Sequence, residues 1–390
     1  MIIAGESSGE LYGAFLAKSV KASFAGARIT GVGGDRMAAA GVELMSRISS
    51  SFGIVEVIRT YRALKNTFRT AVEALTTFKP QILVLIDYPD FNLRLAAEAK
   101  KKGVKVLYYV SPQVWAWRKS RIHTISRIVD KMAVILPFEE EVYRETGLSC
   151  EFVGHPVMDE IREIIGQEGF GLQDIGSPDL KAHMKRKFGV NAARPVLTIM
   201  PGSRRHEISR LLPVLSQSIV ELQKKYPSYQ YVIPVAPNID KRLFEGSPLP
   251  RECRLIQGMS IETLAASDAA IIASGTSTLQ AAFLGVPMTV VYKLSPMTFF
   301  IGRLIVKVNH ISLVNLLLEK SVSGETGLRI KELLQQEAST GNILSEMSKI
   351  IDDQPYREEL LSQLLKVKAL YRERSASVRV AEMIGELVQG

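Results

Sequence analysis

The chain has 390 residues, 46% hydrophobic and 23% charged, enough for two domains with separate cores and ordinary for a soluble globular protein. Apolar runs such as Ile82–Ile86 are far too short to span a bilayer, and Met1–Glu6 lacks the basic head and apolar core of a signal peptide, so a cytoplasmic protein is expected. The formal charge of +9 points to an acidic partner: nucleic acid, anionic lipid or a phosphorylated substrate. No aromatic-basic RNA motif or compact basic tail is present, which makes nucleic acid the weakest of the three. Cys150 and Cys253 fit a reducing compartment. Neither they nor the five scattered histidines have metal-ligand spacing, so no metal is expected.

Ile2-Ile3-Ala4 reads as the stub of a first strand and Gly5-Glu6-Ser7-Ser8-Gly9 as its turn. Ser7 or Ser8 can cap a helix whose apolar face carries Leu11, Phe15, Leu16 and Val20. A second strand, Arg28–Val32, ends in Gly31-Val32-Gly33-Gly34. This cluster has the wrong spacing for a dinucleotide fingerprint and follows the second strand, which argues against a nicotinamide dehydrogenase. Within Ser51–Leu75, Arg59, Arg62, Lys65 and Arg69 recur at helical spacing beside Ile54, Val55, Val57, Ile58, Leu64 and Phe68. That pattern fits a solvated basic helix face, or a patch resting on an anionic membrane.

Ile82–Ile86 is a buried strand that delivers Asp87-Tyr88-Pro89-Asp90-Phe91-Asn92 at its carboxyl end, where open α/β sheets bind ligands. Asp90 is either a helix cap or a catalytic carboxylate. The strand Val104–Val110 leads into Ser111–Arg118, which holds both tryptophans, Trp115 and Trp117. Tryptophans in a loop suggest a surface for sugar rings, acyl chains or a partner. Lys131–Pro137 is another strand, followed by a helix over Phe138–Thr146 that Gly147 ends. Glu151–Val153 and Gly154-His155-Pro156 close the first half, and Gln167–Pro178, rich in Gly, Asp and Ser, reads as a linker or insertion.

The second half opens on strand Val196–Met200, the turn Pro201-Gly202-Ser203, and a helix with Leu211, Leu212, Leu215, Ile219 and Leu222 on one face. A strand–glycine turn–helix unit is a ready anion site, and Arg204 and Arg205 stand at its mouth. The alternative is an ordinary βα connection with two solvated arginines. Strands Tyr229–Val235 and Arg254–Ile256, a helix over Ile261–Ser267 and strand Ala269–Ala273 follow. Ser274-Gly275-Thr276-Ser277-Thr278 then opens a helix through Leu284, and Met288–Tyr292 is one more strand. The two turns together suit a diphosphate. Pro296–Val308 is apolar enough to bury or to hold acyl chains, and Tyr356–Val388 is a helical, charged tail that can fold back over the first domain.

Repeated βα units on both sides of a linker imply an α/β protein of two doubly wound, Rossmann-like parallel-sheet domains facing across a cleft. The expected boundaries are 1–165, a linker or insertion at 166–190, 191–350, and C-terminal helices over 351–390.

The segments Gly5–Gly9, Asp87–Asn92, Tyr108–Arg118, Leu136–Glu139, Phe152–Pro156, Pro201–Arg204, Ser274–Pro287 and Ser312–Leu317 together resemble the lipid-A-disaccharide synthase family, in its order and across nearly the whole chain. The Tyr-Tyr-Val-Ser-Pro-Gln-Val-Trp-Ala-Trp-Arg segment is the most specific of them. The resemblance implies a GT-B type inverting glycosyltransferase. It would transfer 2,3-diacylglucosamine from UDP-2,3-diacylglucosamine to the 6-hydroxyl of 2,3-diacylglucosamine 1-phosphate, at the inner membrane and without metal or other cofactor. It also implies roles residue by residue. Asp90 matches the proposed base, Glu6 and Ser8 the first turn, Arg204 the phosphate-side arginine, and Asn315 the asparagine of a nucleotide-side segment.

Gly202, Ser203, Arg205, Gly275, Thr276, Ser277 and Gln280 complete the expected nucleotide site. Glu10 stands where the family has aspartate, and Gln280 replaces a glutamate that meets the ribose in related folds. Val314 replaces a proline, and Leu318-Glu319-Lys320 and Ser323–Arg329 depart from the pattern. Because the base must face the diphosphate, it belongs to the first half. There Asp90 is preferred to His155, in the closing turn, and to Asp87, whose place suits loop bracing. The competing readings are another UDP-sugar transferase acting on a peptidoglycan or lipopolysaccharide intermediate, and a catalytically silent glycolipid-binding protein. A homodimer is left open.

Overall fold

The computed structural model describes residues 1–47, 54–117, 121–294, 309–322, 327–371 and 375–389, with backbone alone at 54–62 and 116–117. The chain forms two compact units, Met1–Asp159 with Glu373–Gly390, and Glu160–Arg372. The first is built on β1 (Ile2–Ala4), β2 (Thr30–Gly33), β3 (Glu43–Arg47), β4 (Ile82–Ile86), β5 (Lys105–Tyr109), β6 (Lys131–Val134) and β7 (Ser149–Phe152). These form one seven-stranded sheet in the order β3-β2-β1-β4-β5-β6-β7, and each pairing is parallel. Ile82–Ile86 is buried at every position, as a central parallel strand covered on both faces must be. The edge strand β3 has no apolar run and is half exposed, so periodicity did not reveal it.

The helix Ser7–Ser23 buries Tyr12, Phe15, Leu16 and Val20 against this sheet. Its N-cap is Glu6, in extended backbone, so Ser7 and Ser8 lie in the first turn and neither is the cap. The helix Ala376–Gln389 packs beside it and puts Ala376, Val380, Ala381, Met383 and Ile384 into the same core as Ile2, Leu16, Ile86 and Tyr109. Arg379 fixes this helix to the sheet, donating from Nε and Nη2 to Glu151 at 2.6 and 2.7 Å. The Ser377 N–H donates to Asp159 Oδ2 at 2.9 Å.

The second unit has β8 (Val196–Met200), β9 (Gln230–Val235), β10 (Arg254–Gln257), β11 (Ala269–Ala273), β12 (Met288–Tyr292) and β13 (Glu332–Leu334), in the parallel order β10-β9-β8-β11-β12-β13. The helix Arg205–Lys225 buries Leu211, Leu212, Leu215, Ile219 and Leu222. The stretch expected as a linker or insertion, 166–190, contains the helix Pro178–Lys187, capped by Ser177 and packed on the helix Ser260–Ala265. Lys181 and Lys185 of that helix reach Asp268 at 2.9 and 3.1 Å, and Asp268 also accepts the Val196 N–H. Its apolar face is only Leu180 and Met184, both fully buried, and the ionic partners supply the rest of its anchoring, which is why apolar periodicity failed to show it. The range 351–390 divides. The helix Gln354–Ala369 packs on Ser277–Phe283 within the second unit, whereas Ala376–Gln389 completes the first.

Candidate active site

In the first sheet β1 and β4 are neighbours, with Ala4 beside Ile86, and the chain leaves them toward opposite edges. The crevice at such a reversal is where open α/β sheets take their ligands. It is bounded here by Gly5–Ser8 and Asp87–Asp90. The two loops touch: a Cβ on Gly5 would fall 2.2 Å from the Tyr88 ring, so only glycine fits beneath it. Tyr88 stacks on Phe91 at 5.6 Å, and Phe91 meets Phe68 edge-on at 5.4 Å. Phe68 of the basic helix therefore points inward.

Asp87 and Tyr88 both adopt left-handed backbone, with φ of 48° and 51°. The Asp87 carbonyl accepts from Tyr108 Oη at 2.6 Å and from Asn92 Nδ2 at 2.7 Å. Burial, then the charge of Glu6, raises the Asp87 carboxyl above its ordinary value, against the pull of the Tyr88 amide. Glu6 and Ser8, in the facing turn after β1, are exposed.

Asp90 is not the helix cap that the sequence allowed. The helix Pro89–Lys101 has Tyr88 as N-cap and proline at its first position, so Asp90 lies inside the first turn and caps nothing. Its side chain is 84% exposed and sits 3.6 Å from Arg121. His155 is buried, accepts the Val157 N–H on Nδ1 at 3.1 Å, and is pushed down to about 3 by burial.

Val114–Trp117 forms one helical turn. Trp115 donates from Nε1 to Glu139 at 3.0 Å and packs edge-on against Phe138 at 5.1 Å. Trp115 is thus half-buried and tied inward, while the Trp117 side chain lies outside the described residues. Glu139 is 1% exposed, and burial lifts its carboxyl to about 8 although Trp115, Leu136 and Ile135 all donate to it. Nothing in the run Glu139-Glu140-Glu141 marks Glu139 as the buried member, so its burial was not foreseen.

The second sheet reverses at β8 and β11, where Met200 lies beside Ile272. Pro201–Arg204 and Ser274–Ser277 flank that crevice, so the structure brings together the two turns expected to bind nucleotide. Gly202 has φ of 113°, and a Cβ there would meet Glu207 Oε2 at 2.8 Å. Arg204 is the N-cap of the helix Arg205–Lys225, is 56% exposed, and holds Glu207 Oε1 at 3.2 Å. Arg205 and Ser203 are exposed beside it, and Asn238 donates to the Ser203 carbonyl at 3.2 Å. Gly275 has φ of 153°, and its carbonyl accepts from Thr278 Oγ1 at 2.8 Å. Thr276 is the N-cap of the helix that Ser277 begins.

Asn315 and Gln280, the other two residues expected near the nucleotide, are both held by partners within the unit. Asn315 is 1% exposed, donates to the Ile330 carbonyl and to Glu332 at 2.8 Å each, and accepts the Ile330 N–H at 2.9 Å. Its amide is committed to bracing the sheet edge. Gln280 is 8% exposed and donates to Glu160 at 3.1 Å. Pro296–Val308 and most of Ser323–Arg329 lie outside the described residues, as do the side chains of Arg59 and Arg62.

Two doubly wound parallel-sheet units, each with a polar crevice at its strand-order reversal, define the GT-B type of fold. The fold is shared with a UDP-GlcNAc 2-epimerase from Neisseria meningitidis solved with UDP-GlcNAc, at a TM-score of 0.64 and 13% identity over 99% of each chain. It is shared also with the calicheamicin glycosyltransferase, at a TM-score of 0.58 and 16% identity over 100% of this chain and 97% of that one. The model of the lipid-A-disaccharide synthetase family matches residues 1–381. Lipid-A-disaccharide synthases of Myxococcus xanthus and Geobacter sulfurreducens are 39% and 38% identical to this chain, over all of it and 97% of their own lengths. The chain belongs to the lipid-A-disaccharide synthase family, and is a glycosyltransferase of lipid A disaccharide synthesis.

Proposed function

We propose that the protein transfers 2,3-diacylglucosamine from its UDP derivative to the 6-hydroxyl of 2,3-diacylglucosamine 1-phosphate, with Asp87 as general base. An alcohol is a poor nucleophile at neutral pH and needs a group to take its proton. Asp87 accepts that proton, the oxygen bonds to the donor's anomeric carbon, and the bond to UDP breaks with its electron pair leaving on the diphosphate. Attack opposite the leaving group inverts the centre and gives the β-1,6 linkage. Arg204, Arg205 and the N–H groups of the Gly202 and Gly275 turns neutralise the charge that develops on UDP. Glu6 and Ser8 border the acceptor, and Asn315 and Gln280 act from behind the nucleotide turns as braces.

The observation that carries this reading is the half-buried Asp87 carboxyl beside Glu6 at the sheet reversal, with its affinity for protons raised. A base is most effective when its pKa approaches the working pH. Asp90, open to water and next to Arg121, lacks that setting. Purified protein given both diacylated substrates should yield the disaccharide 1-phosphate by mass spectrometry. Asp87→Asn should lower turnover by about 10²–10⁴-fold with UDP-sugar binding retained, and Asp90→Asn by only a few-fold. The reverse order of effects would return the role of base to Asp90. Competition between UDP-diacylglucosamine and UDP-N-acetylglucosamine separates this activity from that of a transferase acting on a peptidoglycan intermediate. Peripheral attachment to an anionic membrane through the basic helix is part of the same proposal. Among the described residues no helix is long and apolar enough to cross a membrane.

A further inference from the structure

We propose that Tyr108 and Asn92 are positioning residues for the transfer: their donors converge on the Asp87 carbonyl and hold Asp87 and Tyr88 in the left-handed backbone that sets the direction of the Asp87 carboxyl. The inference rests on the reading of Asp87 as base. Consecutive non-glycine residues with φ near +50° persist only where the surroundings over-determine them. The surroundings here are specific. Tyr108, on β5, and Asn92, in the first turns of the helix Pro89–Lys101, are both fully buried. Their bonds to the Asp87 carbonyl, at 2.6 and 2.7 Å, are short for their kinds. Asn92 Nδ2 also reaches the Ile86 carbonyl at 3.2 Å, and the Asn92 N–H donates to the Tyr88 carbonyl at 3.0 Å. Three successive carbonyls of the turn are therefore held by one residue.

If the Asp87–Tyr88 peptide flipped, the carbonyl would lose both side-chain donors. A buried phenol and a buried amide would then be left short of acceptors, and neither can turn to water. Gly5 completes the arrangement from below, because the Tyr88 ring occupies the space of its missing Cβ. The loop can thus keep one carboxyl orientation with only the Tyr88 amide on the carboxyl, whose remaining lone pairs stay available to a substrate hydroxyl. The ionisable groups around that carboxyl are Glu6 from the start of the first helix, Tyr108 from β5 and Glu139 from the helix Glu139–Arg144, with Tyr88 and Asp90 on its own loop.

The test compares Tyr108→Phe, which removes one O–H and keeps the ring, and Asn92→Leu with Asp87→Asn. The full-length protein is assayed with UDP-diacylglucosamine and the acceptor. Each positioning variant should lose about 10–10²-fold in kcat, since small misplacements of a reacting group are costly, while KM for the UDP-sugar stays within about twofold. The acid limb of the pH–rate profile should move in Tyr108→Phe. Tyr108→Phe added to Asp87→Asn should give no further loss. A lowered Tm with kcat and the acid limb unchanged would mean these residues serve stability alone and would overturn the inference. If Asn92→Leu does not fold, Tyr108→Phe decides. Near-normal turnover of Asp87→Asn would instead remove the base reading, and this inference with it.

Discussion

Burial holds the imidazole of His155 down to about 3, against an ordinary value of 6.5, while Nδ1 accepts the Val157 N–H. An acceptor Nδ1 requires the neutral ring. Between pH 3 and 6.5 the unfolded chain binds a proton there that the native one does not, so stability falls as pH falls through that window. The contribution is at most about 3 kcal/mol between pH 7 and 4. His155→Asn keeps an acceptor for the Val157 N–H and removes the titration. The slope of Tm against pH between 6.5 and 4 should flatten in that variant, and an unchanged slope would show that other groups govern acid sensitivity. Glu139 acts in the opposite sense. Its folded value of about 8 lies above the ordinary 4.5, so its contribution is complete below pH 4.5 and lost as pH rises toward 8. In Glu139→Gln at least one of the three donors, Trp115, Leu136 and Ile135, meets an N–H₂ group instead of an oxygen. We expect about 1–3 kcal/mol of lost stability in chemical denaturation at pH 6, with the tryptophan emission shifted.

At the scale of elements, the turn between β8 and the helix Arg205–Lys225 carries the clearest expectation. Gly202→Ala would place a Cβ 2.8 Å from Glu207 Oε2 at a φ of 113°, so the turn must change shape. UDP affinity should fall in calorimetric titration even where the fold persists. Arg204→Ala should cost about 10²–10³ in rate if the guanidinium stabilises the leaving UDP, and near-normal turnover would move that role to Arg205 or to the backbone donors. The basic helix Ile54–Thr77 is tested separately. Changing Arg59, Arg62 and Lys65 to Ser should release the protein from anionic vesicles, each charge near such a surface contributing about 1 kcal/mol. Unchanged co-sedimentation would leave the stripe as a solvated face.

For each unit as a whole, closure depends on residues far apart in the chain. Val380, Met383 and Ile384 of the last helix enter the first unit's core, and burying each contributes about 1.5–3 kcal/mol. Arg379 binds Glu151, Glu382 and Glu386 at once, and the Lys131–Glu386 pair adds a further tie. A chain ending at residue 371 should therefore leave the first unit with exposed apolar surface and a lowered Tm, detectable as dye binding and early proteolysis. A chain of that length with wild-type thermal stability would mean the helix is an accessory.

The sequence alone determined the strands at the centres of both sheets, the glycine turns that follow them and the parallel α/β class. Fully buried strands are apolar at every position, and such turns need glycine at a positive φ, so both are written locally. Val196–Met200 and Gly202 are legible on those grounds without any neighbour. The edge strands Glu43–Arg47 and Glu332–Leu334 were not, since a half-exposed strand carries little apolar pattern. The different settings of Asp87 and Asp90 were also beyond the sequence, because both follow the same strand within one short loop. Tertiary structure separates them: β1 brings Glu6 to Asp87, β5 supplies Tyr108 to its carbonyl, and the helix that starts at Pro89 carries Asp90 out to water. Asn315 shows the same limit, for its motif is local, but the Ile330 carbonyl and Glu332 that occupy its amide arrive from across the sheet edge. Burial and proximity are sums over partners distant in the chain, and no local pattern of residues encodes them.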